Sequence, residues 1–220
     1  MPVETAQVYW YGFNGDRKYA FLREDAASGF PWLTGRDLSA LLAYRPEFAG
    51  SDHHTAPVFV TTPALERWPV AAAALLEELR ARYGGPLALT RVKRGTFDCM
   101  PVSLASLATL ERLEDALGAV LGGRLEPERL RSNLLLDTEG APEEEWFGRT
   151  LRFASGARLA VHYPITRCHM VNLEPGTGSS EPRVLRAVAA ASGGRAEAGV
   201  YAAVAAPGRV SLGDAVWLED

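Results

Sequence analysis

The run Thr166-Arg167-Cys168-His169 places a thiol beside a guanidinium group and an imidazole. The thiolate is the form of cysteine that ligates a metal or attacks an electrophile, and a neighbouring positive charge favours that form. The run therefore predicts a metal ligand or a reactive thiol at Cys168. Because Cys168 follows an apolar stretch and does not lie inside one, we expect partial exposure; a small buried hydrophobe is the alternative.

Two neighbouring segments are candidates for ligand binding. The glycine-rich run EPGTGSS at residues 174–180 offers backbone amides and hydroxyls that could wrap an anion, although such runs are more often simple turns. Arg129, Arg131 and Asn133 alternate, so an extended backbone would place all three side chains on one face. Arginine suits bidentate contacts to phosphate or carboxylate. Solvated arginines at the entrance to a strand are the alternative interpretation.

Composition and missing motifs exclude several classes of protein. The sequence has no His-Glu-x-x-His pattern, phosphate-binding P-loop, dinucleotide fingerprint or nucleophile elbow. Adjacent His53 and His54 would point to opposite sides of an extended chain, so they predict no metal site. The formal net charge is -4 without a basic run, which argues against a nucleic-acid partner. Lys18 and Lys93 are the only lysines among 23 basic residues, and the rest are arginine.

The chain has 220 residues, of which 47% are hydrophobic, enough for one domain or two tightly joined subdomains. No apolar stretch approaches the roughly 20 residues that span a bilayer, and the N-terminus has neither a basic nor a hydrophobic region. We therefore expect a cytoplasmic protein without membrane association. The two cysteines, Cys99 and Cys168, fit a reducing compartment.

The first half of the chain is predicted to be mainly β-structure. Alternation over residues 3–11 breaks at 12–15 and resumes over 18–22, which suggests a hairpin or a tight strand connection. Apolar runs at 57–61 and 87–92 predict further strands. Between them, residues 70–83 have apolar positions at helical spacing and end in a Gly-Gly-Pro sequence, which predicts a helix.

The second half continues this mixture of short strands and helices. Ser106 is predicted to cap a helix that carries leucines on one face, and residues 182–191 form a second predicted helix. The apolar run at 132–136 suits a strand buried on both faces. Hairpins are predicted between 149–153 and 158–163, and between 200–205 and 210–218. This pattern predicts a mainly β, α+β fold around a closed or nearly closed barrel.

Six segments in this half, taken in order, resemble a MOSC domain, the module named from the C-terminus of molybdenum cofactor sulfurase. They are FDCMPVSL at 97–104, RLRSNL at 129–134, EW at 145–146 with Gly148, RC at 167–168 with EPGTG at 174–178, GVY at 199–201, and PGRV at 207–210 with GD at 213–214. The segments GDRKYA at 15–20 and LTGR at 33–36 are similar to the β-rich region that precedes the domain in the family. The resemblance thus covers nearly the whole chain.

The resemblance implies a MOSC-type β-barrel with a few short helices. Residues 1–95 would form the N-terminal β-rich subdomain, and residues 96–220 the MOSC core. In the family an additional first strand with a Tyr-Pro-Val-Lys-Ser-like motif usually precedes the Gly-Asp-Arg segment, and we expect the subdomain of this chain to lack that strand.

The resemblance also implies a pterin-based molybdenum cofactor. In amidoxime-reducing members, the cysteine that matches Cys168 ligates molybdenum, which makes Cys168 the predicted metal ligand and catalytic residue. The predicted cofactor-binding residues, of which Asn133 is taken from the alternation above and the others from the family pattern, are Arg17, Asp98, Arg131, Asn133, Thr166 and Arg167.

Three functions remain open from the sequence. The first is a molybdenum-dependent oxidoreductase that reduces N-hydroxylated or related N-oxygenated small molecules with electrons from a separate protein. The second is a sulfur-carrier or cofactor-binding module that uses a Cys168 persulfide without turnover. The third is a barrel with a structural role, which the missing first strand would favour.

Overall fold

The computed structural model describes residues 3–27, 29–92, 94–118 and 124–220, and these form two compact units. The first unit consists of Gly15–Asp98 and Leu173–Ser179. The second consists of the N-terminal segment up to Asn14, Cys99–Asn172 and Ser180–Asp220. Both units are therefore discontinuous in sequence, since the chain leaves the second unit twice.

Three α-helices occur in the described residues: α1 (Ala73–Tyr83), α2 (Leu107–Leu117) and α3 (Arg183–Ala191). The same residues contain fourteen strands: β1 (Thr5–Tyr9), β2 (Gly12–Phe13), β3 (Tyr19–Arg23), β4 (Arg45–Phe48), β5 (Val58–Thr61), β6 (Arg67–Pro69), β7 (Leu87–Arg91), β8 (Val102–Ser106), β9 (Leu134–Leu136), β10 (Thr150–Phe153), β11 (Arg158–Thr166), β12 (Glu197–Ala206), β13 (Gly208–Ser211) and β14 (Val216–Glu219). The three helices that the sequence predicts are confirmed.

The first unit contains two small antiparallel sheets and helix α1. Strand β3 pairs with β7, while β4, β5 and β6 form a three-stranded sheet. Helix α1 ends where Gly84 adopts a left-handed conformation and its N–H bonds to the Arg80 carbonyl. Leu75 and Leu79 of α1 are almost fully buried. The rest of this core is formed by Leu33, Tyr44, Val58, Val60, Val70 and Leu87.

The second unit is built on a six-stranded sheet with the order β14-β10-β11-β12-β8-β9. Its strand pairs are antiparallel except for β8 and β9, which run parallel. The long central pair of β11 and β12 contains three register shifts, and such bulges bend and twist a sheet. A second sheet, in which β1 pairs with β13 and β2, adds Val8 and Phe13 to the same core.

Helices α2 and α3 share a further hydrophobic core in the second unit. The side chain of Ser106 caps α2 by accepting a 3.0 Å hydrogen bond from the amide of Thr109, as the sequence predicts. Leu113 of α2 and Val188 of α3 are buried against each other's helices in this core. Helix α2 packs on β8, and helix α3 packs on β12.

Two strand predictions are wrong in their pairing or burial, and one alternative of a third is excluded. For residues 3–22 the hairpin alternative is excluded, because β3 pairs with β7 and β1 with β2. Strand β12 is not followed by its hairpin partner, because β13 pairs with β1 and β14 with β10. The apolar run that contains β9 lies at the edge of its sheet, and Leu135 is 41% exposed. Local alternation identifies strands but does not determine their partners.

The prediction of a mainly β, α+β fold is confirmed by these sheets and helices. In the part of the chain that the structure describes, every helix is too short or too polar to cross a membrane.

Candidate functional site

Cys168 lies just beyond the end of β11, between that strand and the 3-10 helix His169–Asn172. Its thiol is free and exposed, and its carbonyl accepts a 3.2 Å hydrogen bond from the amide of Val171. The strand that delivers it is held by β12, since Thr166 pairs with Glu197. The thiol is thus presented at a strand end on a well-anchored backbone, as the sequence predicts.

Arg167 is half-buried as a residue, but the head of its side chain lies inside the protein. Its Nε donates a 2.7 Å hydrogen bond to the carbonyl of Ala198, and its Nη1 donates to the carbonyl of Leu130. Its Nη2 is buried without a hydrogen-bond partner among the described residues. The guanidinium therefore holds backbone from two other segments of the second unit.

Burial lowers the pKa of Arg167 to about 10, because a charged group is disfavoured away from water. Tyr201, Glu143 and Cys168 act in the opposite direction, and Arg131 adds to the lowering by charge repulsion. With this pKa the side chain still carries its positive charge at neutral pH. The Arg167 cation is therefore close enough to the Cys168 thiol for their charges to interact.

Arg131 follows the 3-10 helix Pro127–Leu130 in a left-handed backbone conformation, with φ of 52° and ψ of 27°. Its side chain is exposed, and its amide donates a 3.0 Å hydrogen bond to the carbonyl of Glu128. The preceding carbonyl, that of Leu130, is the one that Arg167 holds. The structure thus brings Arg131, Arg167 and Cys168 together in one region of the second unit.

Asn133 braces the neighbouring strand. Its side-chain oxygen accepts two 3.0 Å hydrogen bonds from Ser103, one from the amide and one from the hydroxyl. The amide of Asn133 also lies within 3.1 Å of the Ser103 hydroxyl oxygen. The side-chain carbonyl of Asn133 therefore connects β8 to the segment that precedes β9.

The remaining two predicted site residues belong to the first unit. Arg17 has a positive φ of 48°, pairs with Asp16 at 3.0 Å and lies 5.4 Å from the centre of the Phe97 ring. Asp98, whose side chain is 65% exposed, lies 4.0 Å from Arg36. Arg17 and the segment that contains Asp98 are therefore close neighbours within that unit.

The glycine-rich run is closed on itself. The amides of Glu174 and Gly178 donate to carbonyls within the loop, and the Thr177 hydroxyl donates to the Glu174 carboxylate. A Cβ at Gly178 would lie 2.2 Å from the carbonyl oxygen of Ser39, so only glycine permits this packing. These donors are already used within the loop, and the Glu174 carboxylate would repel an anion. The structure therefore does not support anion binding by this run.

A thiol–phenol contact was missed by the sequence analysis. Cys99 Sγ and the hydroxyl oxygen of Tyr163 are 2.9 Å apart, and the hydrogen bond between them raises the pKa of Tyr163, with burial as the second cause. The Tyr163 ring meets that of Tyr201 edge to face, with 5.7 Å between ring centres. The signal available in the sequence was the outward-facing position of Tyr163 in its strand.

Glu143 was also missed, and it lines a cavity of about 300 Å³ in the second unit. The carboxylate is almost fully buried, and it accepts hydrogen bonds from the amide and hydroxyl of Ser106 and from the hydroxyl of Thr109. Arg112 approaches it to 3.6 Å. Because these groups satisfy the carboxylate, its role is to hold the start of α2.

No cluster of three or more His, Cys, Asp or Glu side chains suited to hold a metal ion occurs in the described residues. The candidate site is therefore centred on one thiol with two arginines beside it, and its chemistry is that of a single soft ligand or nucleophile.

Comparisons with known proteins place the chain in a family. No curated protein matches the chain. Among solved structures, the crystal structure of the YuaD protein from Bacillus subtilis is similar, with a TM-score of 0.50 and 17% sequence identity over 99% of this chain and 86% of that chain. At this identity the likeness shows the fold alone. A family model described as MOSC domain matches residues 70–217, which is more than half of the sequence, and the chain therefore belongs to the MOSC domain family.

Proposed function

We propose that this protein binds a pterin-based molybdenum cofactor through Cys168 and reduces N-hydroxylated or related N-oxygenated small molecules. The observation that carries the proposal is an exposed thiol that directly follows a buried arginine in a MOSC domain. We propose a separate electron-transfer protein as the source of the electrons.

The donor chemistry fits such a cofactor. A thiolate is a soft ligand that suits a transition metal, and a pterin-based cofactor brings metal ligands of its own, so one protein thiolate suffices. Arg167 supplies a positive charge that interacts with the thiol of the next residue. The exposed guanidinium of Arg131 suits the cofactor's phosphate.

The other predicted residues would share the binding. Thr166 offers an exposed hydroxyl two residues before Cys168, and Asn133 fixes the backbone next to Arg131. Arg17 and Asp98 are proposed as cofactor contacts on the family pattern. When bound, the cofactor would supply the two-electron chemistry that removes an oxygen atom from nitrogen as water, while the chain would bind and orient both partners.

Metal analysis tests this proposal directly. After expression in a host that synthesises the cofactor, the wild type is expected to contain molybdenum in an equimolar amount. Cys168→Ala should lose it, because the thiolate ligand is removed, while the matched variant Cys99→Ala should retain it. A wild-type protein that stays free of molybdenum in such a host, or a Cys168→Ala variant with full metal content, would contradict the proposal.

A sulfur-carrier role is the second candidate, and the free, exposed Cys168 beside a buried cation favours it as well. In this case the Cys168 thiolate would attack the outer sulfur of a donor persulfide and release the donor's thiolate. After incubation with such a donor, mass spectrometry should find one additional sulfur atom on Cys168 that a reductant removes. An unmodified Cys168 after this loading would count against the role.

A further inference from the structure

We propose that Arg167 is a positioning residue of this site: it clamps the backbone of β12 and of the residue before Arg131, and it does not itself grip the cofactor's anionic group. The effect on cofactor binding rests on the proposed function. The hydrogen bonds of Arg167 do not, because they lie within the protein and form without the cofactor.

The side chain of Arg167 joins two other segments of the second unit. Nε holds the carbonyl of Ala198 in β12, and Nη1 holds the carbonyl of Leu130 at the end of its 3-10 helix. The main-chain amide of Arg167 donates a 2.7 Å hydrogen bond to the carbonyl of Ala196. Arg167 thus fastens the end of β11 to the start of β12 and to the turn that precedes Arg131.

The third nitrogen of the Arg167 guanidinium, Nη2, faces the protein interior. A guanidinium grips an anion bidentately through Nε with Nη2 or through Nη1 with Nη2, so both edges require Nη2. In Arg167 that atom is buried. A Cβ added to Gly199 would lie 3.0 Å from Nη2 and 2.4 Å from the carbonyl oxygen of Leu104, so Nη2 packs against strand backbone. A bidentate grip on an external anion is therefore closed to Arg167.

The hydrogen bonds of Arg167 hold Arg131 and Cys168 in place. Arg131 adopts a left-handed conformation that residues with a Cβ rarely take, and such conformations persist only where the surroundings enforce them. The carbonyl on its N-terminal side is the one that Arg167 binds. Cys168 follows Arg167 directly in the chain. Loss of the clamp should therefore displace both the exposed guanidinium of Arg131 and the thiol.

Two variants separate this role from a direct charge role. Arg167→Lys keeps the positive charge but lacks the planar fork that reaches two carbonyls. Gly199→Ala keeps Arg167 but shifts the strand backbone on which Nη2 packs, because the added methyl group would lie 2.4 Å from the carbonyl oxygen of Leu104. The control is Arg158→Lys, the same substitution at a 51% exposed side chain at the start of β11, the strand that Arg167 follows.

The first readout is amide hydrogen exchange of the cofactor-free chains. For peptides that cover residues 128–133 and 196–200, we expect exchange about tenfold faster in Arg167→Lys and in Gly199→Ala than in the wild type, since a lost hydrogen bond is worth about that factor. Arg158→Lys should match the wild type in both segments. Unchanged exchange in Arg167→Lys, which is the milder of the two variants, overturns the proposal.

The second readout is molybdenum retained after gel filtration of chains loaded in a cofactor-producing host. The clamp predicts that both variants lose at least half of the wild-type metal content. If Arg167→Lys loses metal while a folded Gly199→Ala retains it fully, Arg167 contacts the cofactor directly and the inference fails. If the wild type binds no cofactor, the proposed function fails alone, and the exchange data still decide whether the clamp exists.

Discussion

Arg167 and Cys168 are neighbours in sequence with opposite environments, because the arginine head is buried and the thiol is exposed. Burial of a guanidinium is tolerable here because two backbone carbonyls accept its hydrogen bonds. The charge of the buried guanidinium also interacts with the Cys168 thiol. Arg167 thus both fixes the backbone near the thiol and places a positive charge near it.

A second residue-scale feature gives a prediction about pH. Hydrogen bonds from the side chain and amide of Arg183 lower the pKa of Glu181 to about 2. Since the folded pKa is depressed, the pair stabilises the protein fully above the ordinary glutamate pKa, and the effect disappears as pH falls towards 2. We expect a carboxyl titration of Glu181 by NMR with its midpoint near pH 2. In Arg183→Gln the midpoint should rise towards the ordinary glutamate range but stay below it, because the amide of residue 183 still donates its hydrogen bond. An unchanged midpoint would contradict this assignment.

At the scale of elements, the start of helix α2 depends on a residue that is distant in sequence. Ser106 caps the helix, and Glu143 then binds Ser106 and Thr109 from a separate 3-10 helix. A carboxylate near a helix N-terminus is also favoured by the helix dipole. This network fixes the start of the helix that packs on β8.

The network predicts unequal effects for two adjacent glutamates. Glu143→Gln should lower the free energy of unfolding by about 1–3 kcal/mol, because one buried acceptor becomes a donor that faces the Thr109 hydroxyl and Arg112. Glu144→Gln is the matched control, since the Glu144 side chain is 57% exposed and lies 3.8 Å from Arg112, and it should change little. Urea denaturation followed by circular dichroism measures both variants. Equal effects of the two substitutions would refute a special role for Glu143.

Sequence periodicity predicts the helices but not the pairing of the strands. The helices were predicted well because their apolar spacing, caps and terminal glycines are local signals. In contrast, Val8 of β1 pairs with Gly208 of β13, at the opposite end of the chain, and no local pattern encodes that choice. The apolar residues of β9 suggested burial on both faces, but the strand lies at a sheet edge.

At the scale of the whole molecule, each unit is assembled from separated parts of the chain. Val8 and Phe13, from the N-terminal segment, belong to the main core of the second unit and are at most 9% exposed. The loop Leu173–Ser179 belongs to the first unit, where Gly178 packs on Ser39. The division into domains of residues 1–95 and 96–220 stays a prediction.

This composition predicts the behaviour of a fragment. Residues 99–220 alone should be markedly less stable than the same fragment joined through a flexible linker to residues 3–14. Each of the Val8 and Phe13 side chains contributes roughly 1.5–3 kcal/mol when buried, and β13 loses the strand β1 that it pairs with. Thermal unfolding of the two fragments compares them. Equal melting temperatures would show that the N-terminal strands are dispensable to the second unit.

The sequence by itself determined the helices, the mainly β character, the exposed setting of Cys168 and the ordered segments that resemble a MOSC domain. These depend on local spacing and on residue types, which a sequence displays directly. Only the tertiary structure decided that the donors of Arg167 face backbone, that Asn133 braces Ser103, and that Cys99 meets Tyr163. Such contacts depend on which distant strands pair and in which register, because the register sets the neighbours of every side chain along a strand.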